Sequence, residues 1–222
     1  MSRYEADDIY CIPGTAVLKN KAGITDQYLL DEYEGDFTAI RLLELAHNPI
    51  AGAFDLAHLC KIHGYLFQDV YEWAGEIRSV DIIRGESRFC NAFQIQSYSN
   101  TVFSALATEK YLINLEPKLF ARRLAHYLSE INAIHPFREG NGRVQRLFIS
   151  QLADHAGQCG FIQDPDKQAY CRATSGGGRS QCGFIREPDL QAMCRAETGG
   201  GSSQCGFIRN RDMQAACRAA TK

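Results

Sequence analysis

Between Ala133 and Ile149 the chain reads AIHPFREGNGRVQRLFI. A histidine stands before a proline, a glutamate follows, an asparagine sits between two glycines, and two arginines stand three apart. These are groups suited to phosphate chemistry. A residue before proline is pushed out of the α region, so His135 should end one helix and project from its C-terminal end. The next helix should open near Gly142. A helix N-terminus preceded by glycines offers backbone N–H groups to an anion. Gly140 and Gly142 would let that backbone approach a phosphate closely, and Asn141 would add a side-chain donor. Arg143 and Arg146 share one helix face. Arginine at a helix N-terminus opposes the macrodipole by about 0.3–1 kcal/mol, and a bound polyphosphate reverses that sign. Glu139 makes sense in such a pocket if a divalent cation bridges it to phosphate oxygens. His135 is then a base beside a nucleotide phosphate, an effect typically worth about 10²–10⁴-fold in rate. The bland alternative is a helix–loop–helix corner capped by Gly-Asn-Gly. The combined pattern weighs against it.

The elements that must position this loop follow from periodicity. Leu29, Leu30, Tyr33, Phe37, Ile40 and Leu43 show helical spacing, with Thr25 or Asp26 as the cap. A second helix places Leu56, Leu59, Ile62, Leu66 and Val70 on one face. Val80, Ile82 and Ile83, the turn-former Gly85 and then Phe89 read as a short hairpin. A third helix runs from about Phe93. A fourth opens near Pro117 with a stripe of Phe120, Leu124, Leu128 and Ile131. A fifth, after the loop, faces the core with Val144, Leu147, Phe148 and Leu152. The expectation is an all-α domain over residues 1–157 with one small hairpin and an irregular N-terminal arm.

Residues 158–222 differ. QCGFIQDPDKQAYCRAT, QCGFIREPDLQAMCRAE and QCGFIRNRDMQAACRAA begin at Gln158, Gln181 and Gln204, a period of 23 residues. Each copy has few large apolar residues, and triple glycines separate the copies, so a weakly structured tail with flexible linkers is expected rather than a stacked solenoid. Of nine cysteines, only Cys11, Cys60 and Cys90 precede the tail. The N-terminus has no apolar h-region, which reads as the absence of a secretory leader, and reduced thiols in a cytoplasmic protein are then the expectation. Net charge is −2, which argues against general nucleic-acid or membrane-surface binding. No apolar run is long enough for a membrane span. The remaining histidines show no zinc-ligand spacing with cysteine and read as surface or packing residues.

The loop residues His135, Phe137, Glu139, Gly140, Asn141, Gly142, Arg143 and Arg146 complete the pattern H-x-F-x-(D/E)-G-N-G-R-x-x-R, and the chain therefore resembles the Fic family. VLKNKAGITD, FDLAHLCKIHGYLFQDVYEWAG and IRSVDI extend the resemblance, in order, over roughly residues 4–157. It implies a Fic fold that transfers AMP from ATP, with Mg²⁺, to a hydroxyl of a target protein. By position, His135 would be the general base and Glu139 the metal ligand. Gly140, Asn141 and Gly142 would hold the α/β-phosphates, Arg143 and Arg146 would contact the outer ones, and Phe137 would anchor the loop. The hairpin would be the family's flap, which pairs with an extended target segment, with Arg88 and Phe89 near nucleotide and target. Related Doc toxins carry a lysine near the second glycine and act as kinases. Gly142 favours AMP transfer instead.

Many relatives carry an inhibitory helix, (S/T)-x-x-x-E-(G/N). Here glutamate precedes Gly or Asn only at Glu34 and Glu139, with Leu30 and His135 four residues earlier. The resemblance then implies a toxin held by a separate antitoxin protein, with topoisomerase subunits as targets. Other readings are transfer of a different nucleotide or of phosphocholine, and an idle scaffold whose repeats bind a partner.

Overall fold

The computed structural model describes residues 9–157 and 164–221. By its contacts the chain forms two compact units, Met1–Leu152 and Ala153–Lys222. Five helices build the first: α1 (Gln27–His47), α2 (Leu56–Phe67), α3 (Ile95–Thr108), α4 (Pro117–Ile134) and α5 (Asn141–His155). Strands β1 (Ile83–Arg84) and β2 (Ser87–Arg88) pair antiparallel, Ile83 opposite Arg88 and Arg84 opposite Ser87. Gly85 turns between them at φ +59°. The architecture is the helical bundle with one small hairpin that the sequence implied.

Local chemistry sets the helix starts. Asp26 and Asp55 cap α1 and α2, their carboxylates accepting from Leu29 N at 3.0 Å and His58 N at 2.8 Å. Pro117 occupies the first turn of α4, where its missing N–H costs nothing. Leu59, Ile62, Leu66, Phe120, Ile131, Val144, Phe148 and Leu152 are fully buried or nearly so, each contributing about 1.5–3 kcal/mol of burial. No helix among the described residues is long and apolar enough to cross a membrane.

Two helices present faces other than those expected. In α4 the buried positions are Phe120, Tyr127, Ile131 and Ile134, while Leu128 is exposed. Tyr127 wins because its hydroxyl donates to Glu109 at 2.8 Å. In α1, Leu29, Ile40 and Leu43 are exposed. The buried line runs through Leu30, Glu34, Thr38 and Leu45. Two polar residues turn inward there because a partner waits for them, as described below.

The tail is the main departure. Helices α6 (Pro165–Arg172), α7 (Pro188–Arg195) and α8 (Arg211–Ala220) recur once per copy. Each is opened by a side chain that accepts two N–H groups: Asp164, Glu187 and Asn210. Disulfides join Cys182 to Cys194 and Cys205 to Cys217, and Cys171 is disulfide-bonded as well. Successive copies are clasped together. The Asp166 carboxylate accepts from Arg186 N and Glu187 N at 3.0 and 2.8 Å, and Asp189 does the same to Arg209 N and Asn210 N at 2.9 and 2.8 Å. A small core of Ala169, Ala173, Cys182, Ile185 and Cys194 is repeated by Ala192, Ala196, Cys205, Ile208 and Cys217. The expected weak structure and reduced thiols are thus corrected. Half-cystines replace the missing large apolar side chains, as in other small scaffolds. The glycine triplets are fixed turns rather than linkers. A Cβ on Gly177 or Gly200 would come within 2.5 or 2.4 Å of a carbonyl oxygen of the preceding helix.

Candidate active site

α4 ends abruptly because Pro136 follows His135. His135 takes the left-handed conformation, φ 48° and ψ 63°, a region costly for a non-glycine residue. The residue is only 5% exposed. Nδ1 donates to the Asn132 carbonyl at 3.1 Å, which makes Nε2 the nitrogen with the lone pair. The ring of Phe89, at the end of the hairpin, stacks on it with centroids 3.8 Å apart. Burial pushes the imidazole pKa down to about 4. The Asn132 carbonyl opposes the shift, and the charges of Arg78 and Arg84 add to it. At neutral pH the ring is an uncharged base.

The loop after His135 is held from below. Phe137 is buried and stacks on His63 at 4.0 Å. His63 is itself buried, accepting from Gly75 N at 2.7 Å and donating through Nε2 to the Glu139 carbonyl at 3.2 Å. Asn141 closes the loop on itself. Its Oδ1 accepts from Phe137 N at 2.9 Å and its Nδ2 donates to Phe137 O at 2.7 Å. The amide expected to reach a phosphate is therefore a buried loop clamp. Gly140 has φ +80°, and a Cβ there would lie 2.2 Å from the Phe67 ring. Its glycine answers to Phe67 and to the turn. Gly142 differs: a Cβ would meet only Arg146 Nη1 at 3.4 Å, so the space above the α5 N-terminus is open. At that end Arg143 N and Val144 N already donate to Gly140 O, at 3.0 and 3.2 Å, so Asn141 and Gly142 carry the N–H groups with no acceptor inside the helix.

The two motif arginines part company. Arg146 is exposed beside Gly142. Arg143 was expected to face the phosphates with it, but its guanidinium turns inward. It lies over the Phe67 ring at 4.7 Å and donates to Thr38 Oγ1 at 3.1 Å and Glu34 Oε1 at 2.5 Å. The other Glu34 oxygen accepts from the Tyr71 hydroxyl, whose pKa is raised by burial and by the Glu34 charge. This explains the polar line on α1: Glu34 and Thr38 are the seat of Arg143. Glu139 stays near, its Oε1 3.8 Å from Arg143 Nη2 and accepting from Gly140 N at 2.9 Å.

Phe89 is thus brought to His135, whereas Arg88 is exposed at the end of β2. Sequence reasoning missed Glu34, His63, Tyr71 and Arg78. The one available signal was the spacing of Leu30, Glu34 and Thr38, four apart each time, which places two polar residues in line with a core leucine.

Known proteins resemble this chain in sequence and fold. The model of the Fic/DOC family matches residues 53–153. Protein adenylyltransferase VbhT of Bartonella schoenbuchensis is 48% identical over 158 residues, 71% of this chain and 33% of its own length, so the chain spans about a third of that relative. A protein of Escherichia coli K12 named "Probable protein adenylyltransferase Fic" is 39% identical over 173 residues, 78% of this chain and 86% of its own length. Among solved structures, the BepC protein of Bartonella tribocorum with bound AMPPNP is 26% identical and superposes with a TM-score of 0.62, covering 96% of each chain. The Fic domain of a VirB-translocated effector from Bartonella quintana with bound ADP is 28% identical, TM-score 0.63, covering 76% of this chain and 87% of that one. With the motif intact, its loop built on α4 and α5, and the Escherichia coli relative matched at 39% identity over 86% of its length, the chain belongs to the Fic/DOC family.

Proposed function

We propose that this chain is a protein adenylyltransferase, moving AMP from ATP to a hydroxyl side chain of a target protein. The observation that carries the reading is His135: a dry, neutral imidazole whose Nδ1 is committed to Asn132 O. Nε2 takes the proton of the target hydroxyl. The hydroxyl oxygen attacks the α-phosphorus, the bond between α-phosphorus and the bridging oxygen breaks, and pyrophosphate leaves. The names of the relatives and the nucleotides in the two solved neighbours support the same chemistry.

The residues present fit the nucleotide. The N-terminus of α5 with the open face of Gly142 receives the α/β-phosphates, and Arg146 takes the outer phosphate, with Arg143 holding the loop rather than the ligand. Glu139 would hold Mg²⁺, which supplies charge neutralisation on the phosphates when bound. No group of three or more ligating side chains occurs among the described residues. An ion carried in by the nucleotide needs one carboxylate besides phosphate oxygens and water. The target lies as an extended segment along the exposed β2 side of the hairpin. Control by a separate antitoxin and topoisomerase subunits as targets complete the reading, and both follow from the family resemblance.

Two labels test it. Incubated with Mg²⁺ and a bacterial lysate, the chain should transfer label from α-labelled but not γ-labelled ATP, and His135→Ala should transfer none. Label from the γ position alone would sink AMP transfer. Expression of the wild type, and not of His135→Ala, should arrest growth. High transferase activity without a growth defect would refute the toxin part.

A further inference from the structure

Arg78 is a deeply buried charge of the first unit, with its side chain 0% exposed. It spends its donors on carbonyl oxygens. Nε donates to His135 O at 2.8 Å, Nη1 to Val80 O at 2.6 Å, and Nη2 to Cys90 O and, at 3.4 Å, to Ile134 O. Two backbone bonds run alongside: Arg78 N to Pro136 O and Cys90 N to Ala133 O, both 2.9 Å. The nearby Asp81 carboxylate is 3.9 Å away and 59% exposed. It is engaged with Ala92 N at 2.7 Å and Asn91 Nδ2 at 2.9 Å.

The placement of those acceptors is the informative part. Val80 and Cys90 are the two ends of the hairpin segment. Ile134 and His135 are the last turn of α4 and its kink. One planar guanidinium thus joins both stems of the hairpin to the peptide that carries the base. Phe89, next to Cys90, closes the circuit by stacking on the imidazole. A buried charge is a poor way to gain stability, because its desolvation costs several kcal/mol and apolar side chains of similar volume do as well or better. It is a good way to fix geometry, since the forked donor set admits few arrangements of its acceptors.

We infer that Arg78 is a positioning residue that makes the hairpin and the His135 imidazole move as one unit, so that a target segment seated on the hairpin is held in register with the base. This rests on the AMP-transfer reading for its purpose but not for its mechanics. It gives His135 its left-handed turn an immediate cause: the carbonyl of that residue is anchored by Nε.

The test uses the full chain. Lysine keeps the charge and offers a single point donor in place of the fork. Arg78→Lys should bind Mg²⁺ and a non-hydrolysable ATP analogue within about twofold of the wild type. It should transfer α-label to lysate proteins about tenfold to a hundredfold more slowly, the loss typical of a base displaced by about an ångström. Transfer at the wild-type rate would overturn the inference. So would a loss of analogue affinity in proportion to the loss of rate, which would mean general loosening. Amide exchange on the wild type gives a second reading, independent of activity and of the variant's folding. The N–H groups of Arg78, Cys90 and His135 should open together, at rates within about threefold, as one cooperative unit. Rates spread over more than about tenfold would refute the coupling. A wild-type chain that transfers no label would remove the AMP-transfer reading, and the exchange result would still decide the role of Arg78.

Discussion

A base is useful only where it is unprotonated, and burial secures that for His135 at some thermodynamic cost. Its pKa near 4 lies below the ordinary 6.5 of a histidine, and burial holds His63 lower still, at about 3. Between about pH 4 and 6.5 the unfolded chain therefore binds more protons than the native one, so stability rises with pH across that window and falls on acidification. Thermal midpoints should drop steadily from pH 7 to pH 4, and less steeply in His135→Ala. The transfer rate of the free chain should stay level down to about pH 5, where an ordinary histidine would already be mostly protonated. The two arginines separate in the same way. Glu34→Gln takes from the partly buried Arg143 guanidinium the nearer of its two carboxylates, which should destabilise the chain by up to about 3 kcal/mol, read as a lower melting temperature. Arg146→Ala, on an exposed side chain, should leave melting unchanged and weaken analogue binding. Equal effects of the two variants on melting would contradict the division of labour. The motif itself was legible because its residue types are contiguous. Glu34, His63 and Arg78 were not, since burial of a polar group is decided by which distant segment supplies its partner.

Periodicity located the five helices and the hairpin of the first unit, and of the two caps offered for α1, Thr25 or Asp26, the structure uses Asp26. Periodicity failed on which face α1 turns inward, because a count of leucines and isoleucines gives Glu34 and Thr38 no weight. What positions the site is the junction of α4 and α5, and here two glycines of one motif do different work. Gly140→Ala meets both a positive φ and the Phe67 ring, so a loss of about 1–3 kcal/mol of stability is expected, visible in denaturant melts. Gly142→Ala meets open space apart from Arg146. It should melt like the wild type while analogue affinity and transfer both fall, since the added methyl stands where the phosphates are proposed to lie. A Gly142→Ala variant with normal affinity would move the phosphate site away from the α5 N-terminus.

For the whole molecule, the two units obey different physics. The first is an apolar bundle whose described cysteines, Cys11, Cys60 and Cys90, form no disulfide. The second has a core of small residues and fully buried half-cystines. Composition misled there for a physical reason: it counts side-chain volume, whereas a disulfide closing a 12-residue separation acts mainly on the unfolded chain, by about 3 kcal/mol each. With so little apolar surface to bury, that constraint is comparable to the whole stability expected of so small a unit. Such a tail folds where thiols are oxidised and loosens where they are reduced. Dithiothreitol should therefore open residues 164–221 to protease and remove their helical signal while residues 9–152 keep theirs. Label transfer should persist at its oxidised rate, since no residue of the site lies in the second unit. The variant Cys182→Ser with Cys205→Ser, combined with Cys171→Ser, should reproduce the reduced state without reductant. If the tail stays protected after reduction, its clasping carboxylates Asp166 and Asp189 carry the fold. Asp189→Ala would then become the variant that opens it.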